Sequence, residues 1–401
     1  MKKLVALMFV VIFLVSLVGC STPTTGAPKA TSAPAATLAA PAATAVKPTT
    51  APATVAPTKA EAPVVVQVFH YMLQTTKQAG LKDVQAAYTK LHPNVTFKNI
   101  FYNQGTDYFP QLSTALASGE VPEIIMGNPG LYPDVVKEGF AMDLTENKVI
   151  KGLNLPKGDL GDVSSNGKIY GFPIDFKTWG VFYNVGIFEK LGLKVPTKQS
   201  ELLEVADKIK AAGIDPWIHA FKDAVMGDIE MRNTVWPRAL AAGNTDLFDS
   251  LMTGKKKFAD YPYFLEGLKV WQQRMKYYRA DALANNQDKS LELFVSGKGA
   301  MLYTGSWSVG DLVAKIPAGS DFKFDFFVAP IDEDGASQKL NVQVDQSFMV
   351  NPKSKNAAVA LDFMEFWITN GATTWSETTL LPLTTGKTSD KLLPLVKTLS
   401  S

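Results

Sequence analysis

A two-lobed α/β fold is what this sequence predicts, and three observations predict it. Between residues 64 and 138, strand-like and helix-like runs alternate at the spacing of βαβ units. The 338 residues from 64 to 401 are enough for two lobes of ordinary size, each with its own core. All seven Trp and all twelve Tyr fall in that stretch, so the apolar payload of the chain is concentrated there.

Taken in order, Val64-Val65-Val66-Gln67-Val68-Phe69 is a β-branched run of buried-strand length. Residues 81–91 read as a helix, and 95–102 alternate as a strand. Residues 107–117 are helical and stop at Gly119; 121–126 form a third strand; 132–138 make a short helix before Gly139. Further on, 201–212 form an amphipathic helix ended by Gly213. Phe264, Leu268, Trp271, Met275 and Tyr278 recur at steps of four and three, the pattern of one face of a long helix. Residues 342–350 read as an apolar strand interrupted by Gln343, Asp345 and Gln346, and Val359, Phe363 and Phe366 mark a late helix.

The first 63 residues differ in kind. Lys2 and Lys3 precede an apolar run, 4–18, of signal-peptide length and too short for a comfortable span of about 20 residues. It ends in Leu17-Val18-Gly19-Cys20, which resembles the bacterial lipobox, with Cys20 as the lipidated residue. Of the 43 residues from 21 to 63, 33 are Ala, Pro or Thr, a composition that buries too little apolar surface to offset its ordering entropy. A disordered tether with a coil span of roughly 35 Å is expected.

Composition also excludes. A net charge of +2 with no basic run outside the N-terminus gives no support for nucleic acid as partner. With Cys20 the only cysteine, neither an intrachain disulfide nor a Cys-based metal cluster is expected. His70, His92 and His219 are far apart in sequence and form no paired-histidine zinc motif, and Gly305-Ser306-Trp307 is not a nucleophile elbow. No cofactor and no metal are expected.

Three blocks then carry a resemblance. The first is Gly167-Lys168-Ile169-Tyr170-Gly171-Phe172-Pro173, followed by Tyr183-Asn184 and Phe188-Glu189-Lys190-Leu191-Gly192-Leu193. The second is Phe294-Val295-Ser296-Gly297-Lys298-Gly299-Ala300-Met301 with Gly305-Ser306-Trp307; the third is Ala117-Ser118-Gly119-Glu120-Val121-Pro122-Glu123-Ile124. Occurring along the chain in the expected order, behind a lipobox and tether, they resemble the family 1 extracellular solute-binding proteins, the maltose-binding-protein-like group.

The resemblance implies a periplasmic-binding-protein-like fold with a hinge and a ligand cleft between the lobes. Its implied boundaries are a signal peptide over 1–20, the tether over 21–63, a first lobe of 64–175 with about 345–378, and a second of about 180–340 with about 379–401. It also implies further helices beyond Leu380-Leu381-Pro382, so either this is a variant with a shortened second lobe or a C-terminal part lies outside this sequence. The implied function is non-enzymatic: a monomeric, lipid-anchored, extracytoplasmic receptor binds a sugar and delivers it to an ABC permease driven by a separate ATPase. Lack of a phosphate-binding Gly-Lys-Ser/Thr loop fits that division of labour. A non-sugar solute in the same fold and a secreted glycan-processing enzyme are the alternatives.

Sugars offer flat C–H faces to aromatic rings and hydroxyls to planar polar side chains. Trp307 matches the family's stacking tryptophan. Trp179, Asp175 and Lys177 follow Pro173 in the expected first crossing between lobes; Trp179 fits cleft or core, and an Asp175–Lys177 surface ion pair is an equal reading. Relatives that bind malto-oligosaccharides carry a carboxylate where Lys177 falls, which argues against a maltose-like ligand. Asn128 and Tyr71 follow strands at their carboxyl ends, where open α/β sheets place ligands, although Asn128 before Pro129 also suits a turn. Asp345 and Gln346 interrupt a strand near the expected second crossing, where polar groups are costly unless paired. Trp236 is the outlying candidate, able to extend a stack or to sit in core. Asp175 and Asp345 could be cast as the carboxylate pair of a glycosidase, but no sequence signature supports that reading.

Overall fold

The computed structural model describes residues 62–104, 106–244, 247–335 and 341–385. The expected signal peptide, Cys20 and nearly all of the tether lie outside them.

The first sheet is built by β1 (Val64–His70), β2 (Val95–Phe101) and β3 (Ile124–Met126), with β4 (Phe172–Pro173) and a late strand, β11 (Ser347–Val350). Its order is β2-β1-β3-β11-β4, with β1 parallel to β2 and β3, and β11 antiparallel to β3 and β4. Alternate residues go to opposite faces. Val66, Val68, Ile124, Met126, Phe348 and Val350 pack on one side, while Phe69, Ile125 and Met349 pack on the other. Helices α1 (Thr75–Leu91) and α2 (Tyr108–Ser118) cover these two faces respectively. Gly119, at φ +74°, ends α2 where an L side chain would be strained.

Between the sheets run β5 (Phe176–Lys177) and, from the later crossing, β10 (Gln343–Val344), paired antiparallel. The second sheet comprises β6 (Trp179–Asn184), β7 (Asp215–Ile218), β8 (Gly299–Gly305) and β9 (Phe324–Phe327), in the order β9-β6-β8-β7. It too is covered on both faces. Val181, Trp217, Met301, Tyr303 and Phe327 face α3 (Gln199–Ala211), and Phe182, Ile218 and Leu302 face α6 (Gln287–Val295) and α7 (Val309–Lys315). Helices α4 (Ala224–Ala241) and α5 (Pro262–Met275) add a smaller core around Val235, Ala239, Leu247, Tyr261 and Tyr263. Helices α8 (Ala357–Phe366) and α9 (Ala372–Thr379) return to the first lobe and pack beside α1. The molecule is therefore two α/β lobes, each a sheet with helices on both faces.

Three differences from the sequence pattern are instructive. The strand read over 121–126 shrinks to β3, because Pro122 lacks the N–H a central strand must donate. The strand read over 342–350 splits into β10 and β11, since Asp345 and Gln346 turn into a buried polar cluster at the crossing. On α5 the buried positions are Tyr263, Gly267, Val270 and Arg274, one residue ahead of the apolar series; Met275 is exposed. The helix has rotated to bring Gly267 against the Thr234 carbonyl of α4, a contact only a glycine permits.

The expected assignment of residues 379–401 to the second lobe is corrected in part. Leu380 packs in the second core, but Leu383 is buried in the first and bridges Asp175, and the Thr384 hydroxyl donates to the Pro173 carbonyl at 2.8 Å. Residues 386–401 lie outside the described chain.

Candidate functional site

The crossings hold a buried polar cluster. Asp175 is fully buried: one carboxylate oxygen accepts from the Gln346 N–H at 2.9 Å and the other from Trp375 Nε1 at 2.8 Å. Its backbone carbonyl accepts from the Asp345 N–H. These bonds of Asp175 tie the two crossings to each other and to α9. Burial pushes its carboxyl above the usual carboxylate range, and the neighbouring Asp345 charge adds to this.

Asp345 is almost as deeply placed but has cations beside it. Lys77 Nζ, on α1, lies 2.5 Å from its carboxylate, Lys177 Nζ lies at 3.4 Å, and Gln346 Nε2 donates at 2.8 Å. Burial alone would raise Asp345; the two lysines outweigh it and hold the carboxyl below its ordinary range. Lys177 therefore pairs with Asp345, and the expected Asp175–Lys177 surface pair does not form. Lys77 was legible in principle: it occupies the stripe Lys77, Leu81, Val84, Tyr88 at helical spacing, where a charge demands a partner.

At the rim of the first sheet, Tyr71 is half-buried, edge-on to Tyr108 at 4.8 Å and 6.4 Å from Tyr132. Burial raises its phenol well above the usual range, so it stays protonated and able to donate. Tyr132 lies directly over Gly127, whose missing side chain makes the room. Asn128 is half-buried and serves a turn, its carbonyl accepting from the Leu131 and Tyr132 N–H groups at 3.0 and 3.1 Å.

In the second lobe Trp179 and Trp307 lie 6.5 Å apart. Trp307 is packed over Gly305 and among Ala220, Met226 and Phe221, and its Nε1 donates to Gln287 Oε1 at 3.0 Å. Only 7 % of it is exposed. Trp179 is the more open of the two. It lines a small recess, partly open to solvent, together with Asn233, Arg274, Tyr303 and Asn341. Trp179 Nε1 has no partner among the described residues. Trp236 packs partly buried in the core between α4 and α5, and the recess is lined by its helix neighbours Asn233 and Pro237 instead.

Arg274 was missed because it sits in a helix whose apolar series points elsewhere. It is fully buried, donating to Gln199 Oε1 and to the Pro330 carbonyl at 2.7 Å, both neutral acceptors. Nearby, Glu230 is fully buried between His219, 3.0 Å away, and the Tyr278 hydroxyl, which donates at 2.7 Å. An aromatic face with planar polar groups around a concave space has the chemistry to hold a hydroxyl-rich molecule.

A sequence profile of the bacterial extracellular solute-binding proteins matches residues 74–374. The chain belongs to that family. Solute-binding proteins of this kind work outside the cytoplasm, as the family's description states. Among curated relatives, the multiple sugar-binding protein of Streptococcus mutans is 26 % identical over 151 residues, 36 % of this chain and 33 % of that protein. The match thus spans about a third of the relative's length. Solved solute-binding structures share the fold. RafE in complex with raffinose superposes with a TM-score of 0.69 at 21 % identity, covering 83 % of this chain and 86 % of RafE. A chitin oligosaccharide binding protein gives 0.69 at 21 % identity, with coverages of 84 % and 85 %.

Proposed function

We propose that this chain is the sugar receptor of an ABC-type importer, anchored to the membrane through a lipid on Cys20 and delivering its ligand unchanged to a permease. The observation that carries the sugar reading is Trp179, a half-buried tryptophan on a partly open recess whose lining also includes Asn233, Arg274, Tyr303 and Asn341. Ring faces suit the C–H side of a pyranose, and the amides of Asn233 and Asn341 suit its hydroxyls. The names of the relatives, multiple-sugar, raffinose and chitin-oligosaccharide binders, support the same class. In this reading Tyr71 and Asn128, at the rim of the first sheet, and Lys177, in the crossing, meet the ligand when the lobes close.

A binding role is also favoured over hydrolysis. The carboxylate pair a glycosidase would need, Asp175 and Asp345, is engaged by Trp375, the Gln346 N–H, Lys77 and Lys177.

Titration calorimetry of the full chain against raffinose, chito-oligosaccharides and common mono- and disaccharides tests the proposal. One sugar is expected to bind, and at 100 times its dissociation constant to add about 2.7 kcal/mol of stability. Trp179→Ala is expected to weaken that binding at least tenfold with an unchanged circular dichroism spectrum. Failure of every sugar at millimolar concentration, or release of a cleaved sugar, would overturn the reading.

A further inference from the structure

The second lobe grips the start of α1 with groups that no ligand role explains. Helix α1 has no side-chain cap of its own: Gln74 precedes it without bonding its first turn, and no acidic residue lies in that turn. Unfilled N–H groups at a helix start call for an acceptor, and a carboxylate is the best one. That acceptor comes from the other lobe. Asp311 on α7 receives the Thr75 N–H at 3.2 Å and the Thr76 N–H at 2.9 Å, together with the Thr75 and Thr76 hydroxyls at 3.1 and 2.7 Å. Its neighbours Val309 and Leu312 are rooted in the second core.

Two further contacts surround this cap. Gly310 lets α7 approach so closely that an added Cβ would stand 2.6 Å from the Thr379 carbonyl of α9 and 2.8 Å from Thr76 Oγ1. Gln74 Nε2 donates at 3.3 Å to Gln287 Oε1, the same atom that receives the Trp307 indole N–H. Residues 74–76 of the first lobe are therefore held at two points by the starts of α6 and α7.

We propose that Asp311 is an interlobe latch, capping α1 in trans and holding the ligand-free protein toward its closed arrangement, with Gln74–Gln287 as the second catch. The latch rests on the two-lobed receptor reading for its significance, although its existence does not depend on which solute binds. Its consequence is a resting bias: a protein that starts near closure gives up less of its binding energy to the conformational change.

Hydrogen exchange of the ligand-free full chain, comparing the parent with Asp311→Asn and Asp311→Ala, decides it without any sugar. A latch predicts at least tenfold faster exchange in Asp311→Ala both at the start of α1 (74–80) and at the remote catch (286–290), with the sheet strands β1 and β8 unchanged. Asp311→Asn, similar in shape, should give a smaller change of the same pattern. Acceleration confined to 74–80 would make Asp311 a local cap and overturn the latch. So would unchanged exchange in both variants. Should Asp311→Ala lose protection throughout, Asp311→Asn with Gln287→Ala decides: faster exchange at 74–80 in Gln287→Ala supports two coupled catches, and its absence overturns them.

Discussion

His70, the last residue of β1, shows how a single buried side chain sets an acid limit. It is 3 % exposed, and burial, with Lys82 nearby, lowers its imidazole to about 4. The unfolded chain takes up a proton near 6.5, so between those values the unfolded state binds more protons and stability falls as pH falls. Full stability is present above 6.5. At pH 4.5 the loss is on the order of 2 kcal/mol. Urea unfolding at pH 7 and pH 4.5 should show His70→Leu losing about 2 kcal/mol less than the parent over that range; equal changes in the two would discharge His70 from the role. Lys77 gives the second test at this scale. Lys77→Met leaves Asp345 buried with only Lys177 at 3.4 Å, at a cost of about 3 to 5 kcal/mol by denaturant titration. Adding Asp345→Asn to that variant should recover a large part, because the uncompensated charge is then gone. These residues also mark how far residue types can be read. Lys77 stood on an apolar stripe and was open to discovery, whereas the burial of Asp175 followed from Trp375, two hundred positions away, and nothing in its neighbourhood announced it.

Helices and strands were legible in proportion to how local their causes are. The β-branched run of β1 and the glycine stops after α2 and α3 needed only neighbouring residues. The buried face of α5 was not legible, because it was chosen by Gly267 fitting the α4 backbone and not by the apolar series. Gly267→Ala tests this: a Cβ 2.6 Å from the Thr234 carbonyl meets backbone that cannot swing aside. A destabilisation of about 1 to 3 kcal/mol is expected, read as a lower denaturant midpoint at constant slope. An unchanged midpoint would mean that the two helices separate at little cost. Helix α1 shows the opposite limit: its pattern predicted residues 81–91, but the structure extends it to Thr75, and the first turn has no cap in its own sequence.

Across the whole molecule, the two sheets have separate cores and meet through the crossings around Asp175 and Asp345 and through the Asp311 contact. A ligand seated against Trp179 and covered by the Tyr71 rim must therefore protect both lobes. With a bound sugar saturating the protein, hydrogen exchange should slow in residues 74–80 and 124–132 as well as in 176–181. Protection limited to the second lobe would place the site on one lobe alone. Of the residues around the recess, Trp179 was picked out by its position along the chain. Asn233, Arg274 and Tyr303 were not, since each looks like an ordinary helix or strand residue until the recess brings them together.

By itself the sequence determined the α/β class, the order of the elements and the family, because β-branched runs, helical periodicity and glycine stops act through neighbouring residues. Only the tertiary structure decided that Trp179 is less buried than Trp307, that Asp175 and Asp345 are buried among partners, and that α1 takes its cap from the other lobe. Each of those outcomes depends on burial and on partners far apart in the chain, and both come into being only when the lobes are assembled.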